Sequence, residues 1–240
     1  MTKIAICFFG QVKNYNNILY ESFICHVLES LSTKSTQFDY FLVTYKNTHY
    51  INPKHNEDHS IDYTSIFKYF KWVDKILIDP FSENIVELDH YSQFLVATYG
   101  TRWHKSFDPI LATKYSIRQL YGLHLLYNIL KNKYDQYIFL RADAQFNSKL
   151  YKDWDDAVDI SIPNFASYTG YNDRFAVILN ENALRSYCSR YIELKNYPQQ
   201  YQSENYLKQI LNKNNLNIYL TNSIKFNLLR ANNKLTSDKY

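Results

Sequence analysis

The stretch Tyr134-Asp-Gln-Tyr-Ile-Phe-Leu-Arg141-Ala-Asp143-Ala-Gln-Phe146 decides the fold. Residues 137–140 form an unbroken apolar run, as expected of a strand covered on both faces of a largely parallel sheet. The run passes directly into Arg-x-Asp, and polar residues at the carboxyl end of such a strand stand where open α/β sheets bind ligands. Just upstream, residues 109–131 carry the longest helical pattern in the chain. Asp108 is placed to cap it and Pro109 opens it, while Ile117, Leu120, Tyr121, His124 and Leu125 share one face. His124 on that face reads as a core histidine rather than a ligand. Gly122 inside the helix costs about 1 kcal/mol relative to Ala, which close packing on a neighbouring strand would explain.

Toward the N-terminus, residues 3–9 are a second apolar run, ended by Gly10, and read as the first buried strand. Residues 15–31 place Ile24, Val27, Leu28 and Leu31 at helical spacing. Two more apolar runs, 38–45 and 73–78, bracket a short helical stretch at 65–70. This alternation predicts one α/β domain, Rossmann-like, with a mixed, mostly parallel central sheet and helices on both faces. The polar segment 46–62 contains His49, His55 and His59 and reads as a solvated loop, not a zinc site. Residues 79–108, irregular and aromatic and ending in Tyr99-Gly-Thr-Arg-Trp-His104, read as a long loop or insertion at one end of the sheet. The domain is expected to span 1–230, with 231–240 a polar tail that frays after about Asn232.

Composition narrows the function. A chain of 240 residues, 46% hydrophobic and 21% charged, suits one domain and would be cramped as two. Its net charge of +4 is spread without a basic cluster, which argues against a nucleic-acid partner and still suits a phosphorylated small molecule. The four glycines, Gly10, Gly100, Gly122 and Gly170, stand alone, so neither a P-loop nor a dinucleotide-binding fingerprint is present. Three scattered cysteines form no disulfide framework and no Cys-x-x-Cys pair. The apolar start is too short for a secretory signal core, no run reaches membrane-span length, and no Asn-x-Ser/Thr sequon occurs. Together these predict a cytoplasmic protein in reducing surroundings.

Strand, short acidic motif and aromatic, as in Leu140-Arg141-Ala-Asp143-Ala-Gln-Phe146, resemble the DxD region of GT-A glycosyltransferases. In that family the last Asp holds a divalent cation that bridges the two donor phosphates, so the resemblance implies Asp143 as metal ligand with Mn²⁺ or Mg²⁺ as the ion. Arg141 stands where the family has its first Asp. Cleaving a sugar–phosphate bond leaves a nucleoside diphosphate whose growing charge a metal, or Arg and Lys side chains, can meet. The plain alternative is an Arg and an Asp pairing at a strand end.

Other segments are similar to small bacterial and large-DNA-virus sugar transferases of this kind, in order over most of residues 1–230. Phe8-Phe9-Gly10-Gln11-Val12-Lys13 resembles the first strand and loop that meet the nucleotide, which makes Phe9, Gly10, Gln11 and Lys13 donor-binding candidates; an ordinary strand-to-helix turn is the alternative. Gly170-Tyr-Asn172-Asp173-Arg174-Phe175 is similar to the family's Asn-Asp-Arg-Phe segment near donor sugar and acceptor. Asp173 is then the first candidate for general base, against an Asn-Asp turn entering a strand. Ser203-Glu204-Asn-Tyr-Leu207 resembles an acidic residue and helix further downstream. Glu204 is the second candidate, against an acid placed there by the helix dipole. Phe226-Asn-Leu-Leu-Arg230 ends in a cation suited to the pyrophosphate, so Arg230 joins Arg141 and Asp143 among the donor-binding candidates.

The resemblance implies transfer of a sugar from a nucleotide-sugar donor, with uridine favoured, to a glycan or other hydroxyl acceptor, inversion being favoured over retention. A sugar nucleotidyltransferase is the alternative on a similar fold, although it would carry a Gly-rich loop after its first strand. A non-catalytic carbohydrate-binding protein is the other, suggested by the variant motif.

Overall fold

The computed structural model describes residues 1–52, 57–100, 108–155, 157–197 and 199–235. Its strands are β1 (Thr2–Phe9), β2 (Thr36–Tyr45), β3 (His49–Asn52), β4 (Glu57–Ser60), β5 (Asp74–Ile78), β6 (Gln136–Arg141), β7 (Ala144–Phe146), β8 (Ile160–Pro163), β9 (Phe175–Ile178), β10 (Ile218–Thr221) and β11 (Phe226–Leu228). Its helices are α1 (Asn17–Phe23), which runs through a π turn (Ile24–Leu28) into α2 (Glu29–Leu31), then α3 (Glu83–Tyr99), α4 (Pro109–Leu130), α5 (Glu181–Cys188), α6 (Arg190–Glu193) and α7 (Ser203–Lys213).

Seven strands form the central sheet in the order β10-β8-β9-β6-β1-β2-β5. All neighbours are parallel except at β9, which runs antiparallel to β6 and β8. The mixed, mostly parallel sheet expected from the sequence is therefore present. Period-two alternation along β1 divides the core. Ala5, Cys7 and Phe9 face a layer that includes residues of α3, α4, α5 and α7. Ile4, Ile6 and Phe8 face Leu19, Phe23 and Val27 on the opposite side. Helices thus cover both faces.

The long helix forms as its sequence dictates. The Asp108 carboxylate accepts from the amides of Ile110 and Leu111, with Pro109 in the first turn. A β-carbon on Gly122 would lie 3.2 Å from a methyl of Val43, so α4 approaches β2 closely at this point. His124 is half-buried, its ring centroid 5.7 Å from that of Tyr191, and its buried Nδ1 has no hydrogen-bond partner among the described residues. Cys7, Cys25 and Cys188 are free. Among the described residues no helix is long and apolar enough to cross a membrane.

Two segments read as loops are not loops. Most of 79–108 is α3, a 17-residue helix whose Ile85, Leu88, Ser92 and Leu95 point into the core. Those positions do follow helical spacing, but exposed Val86 and Phe94 blur the stripe. Gly100, at a positive φ of 71° with its amide on Val96 O, ends the helix. The Thr101–His104 part of the aromatic motif lies outside the described residues. Within 46–62, β3 and β4 pair as an antiparallel hairpin, which buries Tyr50 and Glu57. His49 sits 2.7 Å from Asp58, and His55 lies outside the described residues.

The chain stays packed beyond Arg230. Ala231 is buried with Tyr50 and Ile61, and Leu229 bridges to Leu235. Residues 236–240 of the expected tail lie outside the described residues.

Candidate functional site

The sheet topology brings the candidate residues to one edge. In the β1–β6 pair Phe9 lies opposite Arg141, so the segment leaving β1 and the turn leaving β6 emerge side by side. Next to them Leu140 lies opposite Phe175, the first residue of β9, and the Arg141 amide donates to Arg174 O at 3.0 Å. The antiparallel β7–β11 ribbon sets Leu228 opposite Ala144, and Leu229 N–H reaches the Asp143 carbonyl at 2.7 Å. Arg230 follows directly. Gly10, Lys13, Arg141, Asp173 and Arg230 are thereby gathered from four places in the sequence around one cavity of about 510 Å³. The start of α4 and the first turn of α7, with Ser203 and Glu204, complete its wall.

The floor of this cavity is an ion cluster. Arg141 grips Asp143 with two hydrogen bonds, Nε to Oδ1 at 2.8 Å and Nη2 to Oδ2 at 2.7 Å, while its Nη1 donates to Gln119 Oε1 at 3.3 Å. Lys13 Nζ donates to the same Oδ2 at 3.1 Å and lies 4.4 Å from the centre of the Tyr50 ring. Asp143 is only 1% exposed, and the described residues that line the cavity do not include it. Burial alone would raise its pKa, but the charges of Arg141 and Lys13 outweigh burial and hold the carboxyl well below the usual range.

Arg230 adds a third cation. Burial pulls its pKa below the ordinary value; Asp143 and Glu57 oppose this, and Arg141 adds to it. Among the described residues its Nε has no hydrogen-bond partner. The segment bearing it is fastened by Glu57, itself 1% exposed, whose Oε1 accepts the Ala231 amide at 2.5 Å.

Asp173 and Glu204 form the acidic part of the wall, 6% and 3% exposed. Glu204 is raised from 4.5 to about 7, first by burial and next by the charge of Asp173, with Arg174 opposing. Its Oε1 lies 3.7 Å from Arg174 Nη2, and its Oε2 accepts from Ser203 Oγ at 3.0 Å. A carboxyl titrating near neutrality in a cavity is suited to taking or giving a proton at working pH. Asp173 also lies near enough to act on the charge of Arg141, so acid pair and cations share one space.

Gly10, Gln11, Lys13, Arg141, Asp173, Glu204 and Arg230 line the cavity, and Phe9 and Asp143 do not. Phe9 is fully buried in the core beside Phe139, so its ring cannot meet a ligand. It serves the site through its carbonyl, which accepts the Ala142 amide at 2.9 Å and holds the turn carrying Arg141 and Asp143. Gly10 lines the cavity at φ 92°, a conformation that favours glycine. Gln11 also lines it, with its side chain bound to Tyr45 O, Val12 O and Asn47. Asn172 plays a local part: its Nδ2 donates to Phe165 O and its Oδ1 accepts from the Arg174 amide.

Asp143 does not fit the expected metal ligand. A divalent Mn²⁺ or Mg²⁺ shared with substrate phosphates needs at least one carboxylate oxygen facing open space, whereas both Asp143 oxygens already accept from cations beneath the cavity wall.

Sequence reading did not find Tyr50, Asn52, Tyr115 or Tyr168 on the cavity wall. Tyr50 and Asn52 belong to the hairpin read as a loop, and Tyr115 reads simply as a helix residue. Tyr168 had a signal only in its polar surroundings; it lies at φ 41° between Ala166 at 49° and Thr169 at 75°, in a strained loop.

No family model and no curated protein matches the chain. Among solved structures, the apo form of mouse xyloside xylosyltransferase 1 is similar over 92% of this chain and 84% of that chain, at 10% identity and a TM-score of 0.42. A likeness this distant does not bear on what the chain binds or does.

Proposed function

We propose that the chain is a nucleotide-sugar-dependent glycosyltransferase of GT-A type, transferring a sugar to a hydroxyl acceptor with inversion. The observation that carries this reading is one cavity whose wall brings the cations Lys13, Arg141 and Arg230, among others, together with the buried acid pair Asp173 and Glu204. Glycosyl transfer from a nucleoside diphosphate needs both.

In the proposed reaction an ionised carboxylate of the pair takes the proton of the acceptor hydroxyl. The oxygen forms a bond to the anomeric carbon as the bond from that carbon to the diphosphate oxygen breaks on the opposite face. The bonding pair leaves with the diphosphate, whose charge grows against the cations. The proton stays on the acid and is returned to solvent. Uridine is the first donor base to try, and the cytoplasm remains the proposed location.

The reading is tested by incubating the purified chain with UDP-, GDP-, TDP- and CMP-sugars and a panel of saccharide acceptors, with mass spectrometry of the products. The expected result is an acceptor heavier by one sugar residue, with free nucleotide formed in equal amount. A pyrophosphate product formed from a nucleoside triphosphate and a sugar phosphate, with no sugar transfer, would replace this reading with that of a nucleotidyltransferase.

A further inference from the structure

We infer that this chain binds a diphosphate without a divalent cation, through Lys13, Arg141 and Arg230, and that Asp143 serves as the internal counter-ion that holds the first two in place. The inference rests on the donor site of the proposed function, and it departs from the Asp–metal–diphosphate bridge that the sequence resemblance implied.

Three observations carry it. First, the Asp143 carboxylate is consumed: it accepts two hydrogen bonds from Arg141 and one from Lys13, and is 1% exposed. A metal there would share a buried space with both cations, against strong like-charge repulsion. Second, two cations on one carboxylate leave an excess positive charge, and of the three side chains Arg141 is the exposed one, at 19% against 1% for both Lys13 and Asp143. The floor of the cavity is therefore positive without any added ion, opposite the acidic wall of Asp173 and Glu204. Third, donor capacity remains. A guanidinium has five N–H groups, and three hydrogen bonds are assigned to Arg141. Arg230 also stands on the cavity wall.

Arg side chains suit phosphate oxygens because their planar forks donate in pairs. Gln119 and Asp143 fix the plane of Arg141, and Glu57 fastens the segment that delivers Arg230. The Arg141 guanidinium and the backbone that carries Arg230 are thus held before ligand arrives, which lowers the ordering cost of binding.

Calorimetric titration of the whole chain with UDP and, separately, with inorganic pyrophosphate distinguishes the two arrangements. Each titration is run in excess EDTA and in millimolar Mn²⁺. Binding is expected in EDTA, with a Kd within about twofold of that in Mn²⁺, and about tenfold weaker in Arg141→Gln and in Arg230→Gln. Should Arg141→Gln fail to fold, Arg230→Gln, a change at a half-buried side chain, decides alone. Binding that requires Mn²⁺, binding unaltered in folded Arg230→Gln, or no binding in either buffer overturns the inference. Metal-free diphosphate binding by a protein that transfers no sugar would remove the transferase reading and leave this one standing.

Discussion

The backbone of Gly170 lies directly against that of Glu204. A β-carbon on Gly170 would fall 2.0 Å from the Glu204 carbonyl carbon and oxygen, and 2.3 Å from the Asn205 nitrogen. The neighbouring Tyr171 amide donates to the Glu204 carbonyl at 3.0 Å. This contact sets the loop before β9 against the first turn of α7, and so places the Asp173 loop beside Glu204. Gly170→Ala must push the two backbones apart. It should cost about 1–3 kcal/mol in denaturant unfolding and slow turnover; stability equal to wild type would mean that the contact yields freely.

Glu204 gives the protein a pH signature. Its folded pKa of about 7 lies above the ordinary 4.5, so folding favours the protonated acid. That contribution is complete below the unfolded pKa and is lost as pH rises through the folded one. Between about pH 8 and about pH 5 the wild type should therefore gain Tm relative to Glu204→Gln. Activity should move oppositely, rising as the acid ionises, with that limb absent in Glu204→Gln. Parallel Tm profiles for the two proteins would contradict the assignment.

Asp143→Ala removes the carboxylate beneath two cations. Stripping one partner from a buried ion cluster costs about 3–5 kcal/mol, because the remaining charges are left uncompensated. Urea unfolding should show that loss. The depressed pKa of Asp143 adds a second check: its stabilisation is present above the unfolded value of 3.8 and disappears as pH falls below it. Acid unfolding of the wild type should be steep there and muted in the variant.

Glu57→Ala deletes the acceptor of the Ala231 amide. Leaving that buried N–H unpaired should cost about 1–3 kcal/mol. Hydrogen exchange at Ala231 should quicken, and the KM for the donor should rise more than kcat falls, since Arg230 loses its anchor. Unchanged exchange at Ala231 would show that other contacts hold the segment.

The sheet was legible because β1 and β6 carry unbroken apolar runs, a pattern that burial on both faces requires, and β2 and β5 carry shorter ones. The sequence also supplied α4, whose cap, opening proline and stripe agree. α3 was obscured because aromatic side chains occupy its outer face as well as its inner one, although Gly100 marked its end. Asp173, Glu204 and Arg230 were readable as polar residues at element boundaries. What Asp143 does was not, because whether a carboxylate faces a ligand or its own chain's cations depends on Lys13, 130 positions away. The part played by Glu57 was hidden for the same reason: nothing local ties it to Ala231, 174 residues later.

The most direct measurement of the central claim is the rate of nucleoside diphosphate release from the nucleotide sugar that the chain uses, with acceptor present, in wild type and in folded Asp173→Asn/Glu204→Gln. Loss of the proton acceptor predicts a rate lower by about 100-fold or more, with nucleotide affinity retained. Equal rates in the two proteins, or no release from any nucleotide sugar by the wild type, would contradict it.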